Sequence, residues 1–334
     1  MDQFSPQPRA LADSRAVLNL EVNRRLLNAV ERANRPVPKP ARVRSGVPRR
    51  FPQCDTGLLY DALSWELARP VIGQVESFAE QSPEVDRFSL PLADSVYRDF
   101  LWPQSPSLVL SERMASVIRV GDVQLGSDKL GHFFTEGYSY FTITNELSEG
   151  AEQGLLFGEW SESVYFGAQT TGVFSFADLT ANFNGLRFWN RVLALQPDPL
   201  AGGLPEPYVG CDGRRWQLLR SFDWADYVDS GWSENINCSL YRTPELLAAV
   251  LGHAPLCRRE ALPLARYGSW ALRLLNQAGP GVIPDYLQPE AILAQRSFVQ
   301  ELNLPVGTVD YLRELREQLE LWRQQQVRKL QEAR

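Results

Sequence analysis

The sequence predicts a mainly α fold: a multi-helix globular domain with a central three-helix unit and a loop-rich, aromatic-rich insertion. Apolar residues recur at helical spacing through most of the chain. Period-two alternation is scarce, and the stretch without helical periodicity, 197–242, carries PDPLAGGLPEP and then a run dense in Trp, Tyr and Asp.

Leu11, Val17, Leu18, Val22, Leu26, Leu27 and Val30 define an N-terminal helix within residues 1–34. The next stretch, RPVPKPARVRSGVPRRFP up to residue 52, is too rich in proline for a helix or a central strand. It reads as an extended arm, either a solvated strap or a contact for phosphate or anionic lipid. A main domain covers 53–305. It begins with a helical pattern from Leu58 to Phe78, bent at Pro70, and continues with a short helix over 110–119 capped by Ser111. A last helix covers 306–334, with Leu312, Leu315, Leu319 and Trp322 on one broad face, as a strut on the body or a partner-binding element.

A formal net charge of −6 without a basic stripe excludes a general nucleic-acid binder, which needs clustered cations to displace counterions. No apolar run is long enough to span a bilayer, and the N-terminus lacks the basic start and apolar core of a signal peptide. That leaves two readings, a cytoplasmic chain or a mature periplasmic or otherwise envelope-associated form whose export signal was removed. Four widely spaced cysteines, with no C-x-x-C pair, fit either buried thiols or disulfides in an oxidising compartment. In the second case Cys238 pairs with Cys257 and Cys54 with Cys211.

The central block, 126–193, carries the candidate chemistry. In GSDKLGHFFTEGYSYFTITNEL, a helical wheel gathers Asp128, His132, Thr135, Glu136, Ser139 and Thr142 on one side, opposite Leu130, Phe133, Phe134 and Tyr140. Ser127 is the expected N-cap. Lys129 lies about 100° from Asp128 on that wheel and is expected to pair with an acid on another element rather than join the imidazole. A second segment spaces Gly150, Gly154 and Gly158 four apart, the pattern of a close backbone approach, with Glu162 and Tyr165 beside that ridge. A third opens with Ser175 and Asp178 in a capping-box spacing and places Asp178, Asn182, Gly185 and Trp189 on one face. Convergence of the three faces gives a candidate catalytic set of Asp128, His132, Glu162, Asp178 and Asn182. The other reading is a polar network that fixes helix packing.

Taken together, Asp128-Lys129-x-x-His132-Phe133, Gly158-x-x-x-Glu162 and Asp178-x-x-x-Asn182-x-x-Gly185 resemble the VanZ-like families, which include the teicoplanin-resistance protein and the small YfiM-like envelope lipoproteins. The resemblance implies the cell envelope as the place of action and carries no agreed reaction. VanZ-like proteins are mostly integral to the membrane, whereas these helices are too polar for lipid, so it implies a soluble or peripheral relative.

Elsewhere, FDWADYVDSGWSENINC offers Trp224, Tyr227 and Trp232 among acids, a composition that can line a sugar or peptide groove. With Glu136 and Tyr165 these are the expected substrate contacts. His253 follows Gly252 at a helix end and reads as a dipole partner. No nucleophile elbow, P-loop, zincin or Rossmann fingerprint occurs, and 2 histidines exclude a multi-His metal centre. The sequence thus points to a hydrolase for an envelope glycan or lipid or to a non-catalytic envelope scaffold. It requires no cofactor, although one imidazole with carboxylates is a competent donor set for a divalent metal.

Overall fold

The computed structural model describes residues 10–35, 54–69, 73–98, 105–111, 114–146, 171–234 and 239–241, together with Gly154 and Gly158. The arm, the C-terminal helix, Glu162, Tyr165, Cys238, Cys257 and His253 lie outside the described residues.

Helices and small antiparallel sheets share the described residues, so the fold is mixed α and β, not mainly α. Helix α1 (Arg15–Ala33) buries Leu18, Val22, Leu26 and Val30 against α2 (Thr56–Leu67), which Asp55 caps by accepting from the Leu58 amide. Leu27, expected on the same face, is 48% exposed. The single bent helix expected over 58–78 is instead two helices, α2 and α3 (Gln74–Gln81).

Strand β1 (Arg87–Phe88) pairs antiparallel with β2 (Val117–Val120), which forms a hairpin with β3 (Val123–Gly126). The helix expected at 110–119 is thereby replaced: α4 (Pro106–Ser111) ends at Ser111, the residue expected to cap it, and Val117–Val120 is extended. The cause was local and readable. Val-Ile-Arg-Val-Gly-Asp-Val-Gln-Leu alternates about a two-residue turn, and Gly121 adopts the positive φ of 62° that such a turn needs.

The chain then runs straight from β3 into α5 (Asp128–Gly131), one turn of π-helix (His132–Glu136) and α6 (Gly137–Glu146). Strand β4 (Val173–Phe174) leads into α7 (Phe176–Arg191), which packs along the π turn and α6. Strands β5 (Val209–Cys211) and β6 (Trp216–Leu218) form a hairpin, and β4 pairs with β7 (Leu240–Tyr241). Cys54 and Cys211 form a disulfide across a sequence separation of 157, the long-range pairing expected for them.

Candidate functional site

The site is built where α5 meets the start of α7. Ser127 does not cap α5 with its side chain; its hydroxyl donates to Glu80 of α3. Glu80 also accepts from the amide (2.8 Å) and the hydroxyl (2.6 Å) of Ser116, so one carboxylate ties α3 and β2 to the residue that launches α5. Ser175 caps α7 by accepting from the Asp178 amide at 3.1 Å. That bond uses only the backbone of Asp178 and leaves its carboxylate free to face α5.

The face of α7 read from its spacing is the face that meets the central helix. Asp178 reaches Lys129 and His132, Asn182 reaches His132 and Tyr140, Gly185 lies against Gly137, and the Trp189 indole donates to the Phe134 carbonyl at 2.9 Å. Any Cβ at Gly185 would run into the Phe133 carbonyl, and one at Gly137 would come within 2.5 Å of the Gly185 Cα. Only glycine at both positions lets the backbones approach this closely. The π turn sits at that contact, and its Phe134 carbonyl, which also accepts from the Gly137 amide, takes the Trp189 indole as a partner from outside the helix.

Lys129 is the centre of the charge cluster. Its fully buried ammonium donates to Asp128 Oδ2 at 2.9 Å and Glu234 Oε1 at 2.6 Å, and lies 2.6 Å from Asp178 Oδ1. Pairing with acids on other elements is what the wheel predicted. Its exclusion from the imidazole's group is not, because Asp178 bridges the two: Oδ2 of Asp178 lies 3.3 Å from His132 Nε2. Glu234 also accepts from the Ser175 hydroxyl at 3.0 Å.

Burial opposes ionisation of Asp128 and Asp178, yet their neighbours prevail: Lys129 holds Asp128, and His132 with Lys129 holds Asp178, below the ordinary aspartate range. Glu234 shares the same ammonium but moves the other way, because its complete burial outweighs the attraction and Asp178 repels it. Two further carboxyls flank the cluster. Burial, then the charge of Asp128, pushes Glu76 up to about 7, and its carboxylate lies where a side chain on Gly131 would have to stand. Burial likewise raises half-buried Glu136, at the end of the π turn.

His132 is the partly exposed member, with 17% of its side chain accessible. Its Nδ1 accepts from the Asn182 side-chain nitrogen at 3.1 Å, the amide orientation that satisfies both ends of Asn182. The same nitrogen donates to the Asp178 carbonyl at 3.1 Å, and the Asn182 oxygen accepts from the Tyr140 hydroxyl at 3.2 Å.

Of the predicted set, Asp128, His132, Asp178 and Asn182 are brought together. The partner that orients the imidazole is Asp178, and Asp128 is held by Lys129. The expected aromatic contacts lie elsewhere: Trp224, Tyr227 and Trp232 are 0%, 4% and 0% exposed. They pack on Phe133 with ring centroids 4.9, 5.2 and 5.6 Å away, so they hold the helix from behind rather than line a groove. Their neighbouring acids are caps and ion pairs. Asp223 accepts from the Ala225 amide, Asp229 from the Gly231 amide, and Asp226 pairs with Arg191. Glu234 alone turns into the cluster. The spaced glycines meet a ring rather than a backbone, since Gly154 and Gly158 both face the Tyr140 side chain.

Sequence reasoning missed Lys129, Glu234, Glu76 and Tyr140 as site members. Lys129 had a signal, a cation next to the candidate acid in the D-K-x-x-H pattern. The other three had none, because each reaches the site through tertiary packing. The chain matches no family model, no curated protein and no solved structure.

Proposed function

We propose that this protein is a hydrolase of the bacterial cell envelope, acting on a glycan or lipid substrate through Asp178, His132 and Glu136. One observation carries the reading. A partly exposed imidazole lies 3.3 Å from a carboxylate held ionised, Asp178, and four residues along the same helix from a carboxyl that burial raises, Glu136. Two acids whose surroundings push their proton affinities apart make an acid and base pair. In this reading the Asp178 carboxylate takes a proton from the attacking water, Glu136 gives one to the leaving group as its bond to the attacked atom breaks, and His132, held by Asn182, orients Asp178. The envelope is supported by the VanZ-like pattern. An oxidising compartment is supported by the Cys54–Cys211 disulfide, and peripheral attachment is compatible with the finding that no helix among the described residues is long and apolar enough to cross a membrane.

The test is incubation with purified envelope glycan and with envelope lipid, separating products by chromatography. Wild type should release product from one of the two, and His132→Ala should not while still melting cooperatively. Release unchanged by His132→Ala, or no release from either substrate, overturns the reading. A second reading rests on Lys129, whose complete burial among three carboxyls is the arrangement of a network that fixes helix register. In that case His132→Ala changes stability and there is no turnover to lose.

A further inference from the structure

We infer that Asp128, His132 and Asp178 form a binding site for one divalent transition-metal ion of the Zn²⁺ or Mn²⁺ class. Each residue offers a ligand atom, and these three atoms all lie within 4.8 Å of one another. The shortest defined edge, His132 Nε2 to Asp178 Oδ2, is 3.3 Å. Ligands about 2.0–2.2 Å from a tetrahedral ion stand roughly 3.3–3.6 Å apart, so that edge already has the required length. The third ligand closes on the ion by about an ångström, a side-chain rotation at Asp128.

Three features aim the group. Asp128 and His132 are four residues apart, and the His132 amide donates to the Asp128 carbonyl, so both side chains leave one face as the π turn begins. Lys129 takes Oδ1 of Asp178, which leaves Oδ2 on the imidazole side. Behind the ring, Asn182 donates to Nδ1 at 3.1 Å and fixes the plane of the imidazole with Nε2 toward Asp178 Oδ2; a metal taking Nε2 would move the ring proton to Nδ1 and turn this amide to accept it.

The donors are one nitrogen and carboxylate oxygens, a set for Zn²⁺, Mn²⁺ or Fe²⁺ and a poor one for thiolate-seeking ions. This inference deepens the hydrolytic reading, since a bound metal would lower the pKa of a coordinated water to about 7 and supply the nucleophile. It stands on geometry that does not require turnover.

The experiment uses the full chain, purified without chelator, stripped, and titrated with ZnCl₂ or MnCl₂. Metal content is read by elemental analysis and affinity by competition with a chromophoric chelator. One equivalent bound, with a Tm that rises and saturates at one equivalent, is expected for wild type and absent from His132→Gln and Asp178→Asn. If either variant fails to fold, the wild-type chelator competition decides by itself. No stoichiometric binding of Zn²⁺, Mn²⁺ or anaerobic Fe²⁺, or full binding by both folded variants, overturns the site. Metal bound without cleavage of any envelope substrate defeats the hydrolase and leaves the metal site standing. Cleavage by fully stripped protein that takes up no metal on titration does the reverse.

Discussion

The ammonium of Lys129 lies 2.6 Å from the carboxylate of Glu234, 105 residues further along the chain, and neither side chain has any solvent exposure. That pair closes the floor of the candidate site and determines what its removal should do. Breaking a buried pair from one side leaves an uncompensated charge, which costs about 3–5 kcal/mol. Lys129→Met should therefore lower the unfolding free energy by that amount in urea titration, with Glu234→Gln costing less because the amide still accepts a hydrogen bond. A loss under about 1 kcal/mol for Lys129→Met would show that the cluster does not depend on its lysine.

Gly185 offers a purely steric test. Its Cβ would overlap the Phe133 carbonyl within the π turn, so Gly185→Ala should force α7 and the central helix apart and destabilise by about 1–3 kcal/mol, although alanine is the better helix former. Thermal melts and near-ultraviolet circular dichroism, sensitive to the Phe133 and Trp224 packing, check this. A stabilised variant would contradict the contact.

Glu76 gives a pH dependence with a definite sign. Its carboxyl has a pKa of about 7 in the folded protein against 4.5 for the unreacted group, so the native state binds the extra proton between those values. Stability therefore falls as pH rises through that window, and the penalty is complete above about 7. Asp128 and Asp178, shifted the opposite way, stabilise at neutral pH and lose that contribution only as pH falls below the ordinary aspartate range. Chemical denaturation at intervals from pH 5 to 7.5 should give a declining unfolding free energy for wild type and a flatter profile for Glu76→Gln. Parallel profiles would remove Glu76 as the cause.

The Cys54–Cys211 bridge closes a loop with a sequence separation of 157, for which chain entropy gives a stabilisation of about 3–5 kcal/mol. Cys54→Ser with Cys211→Ser should lower Tm correspondingly. Peptide mapping without reductant should return the 54–211 cross-link from the native protein, and two alkylated thiols at those positions would argue against it.

Much of the central block was legible because helical periodicity reports which side chains share a face. Asp178, Asn182, Gly185 and Trp189 were placed on one stripe of α7, and all four meet the same neighbouring helix. The hairpin at Val117–Gly126 was equally written in the sequence, through its alternation about Gly-Asp, but lay inside a stretch whose apolar residues also satisfied a short helix. The aromatic run at 224–232 was misassigned for a different reason. Its composition suits a sugar groove and a protein core alike, and only burial distinguishes them.

By itself the sequence determined local matters: the amphipathic helices, the Ser175 cap, the stripe on α7, and the one-turn spacing that puts Asp128 and His132 on a single face. Each follows from interactions within a few residues, where backbone geometry leaves few choices. The tertiary structure decided that Lys129 sits among three carboxyls, that Glu234 and Glu76 come to the cluster, and that Asp178 rather than Asp128 meets the imidazole. Those outcomes depend on where distant segments return to the core. A helical face states that it needs a partner, and only the packing of the whole chain settles which charges end up sharing the same dry volume.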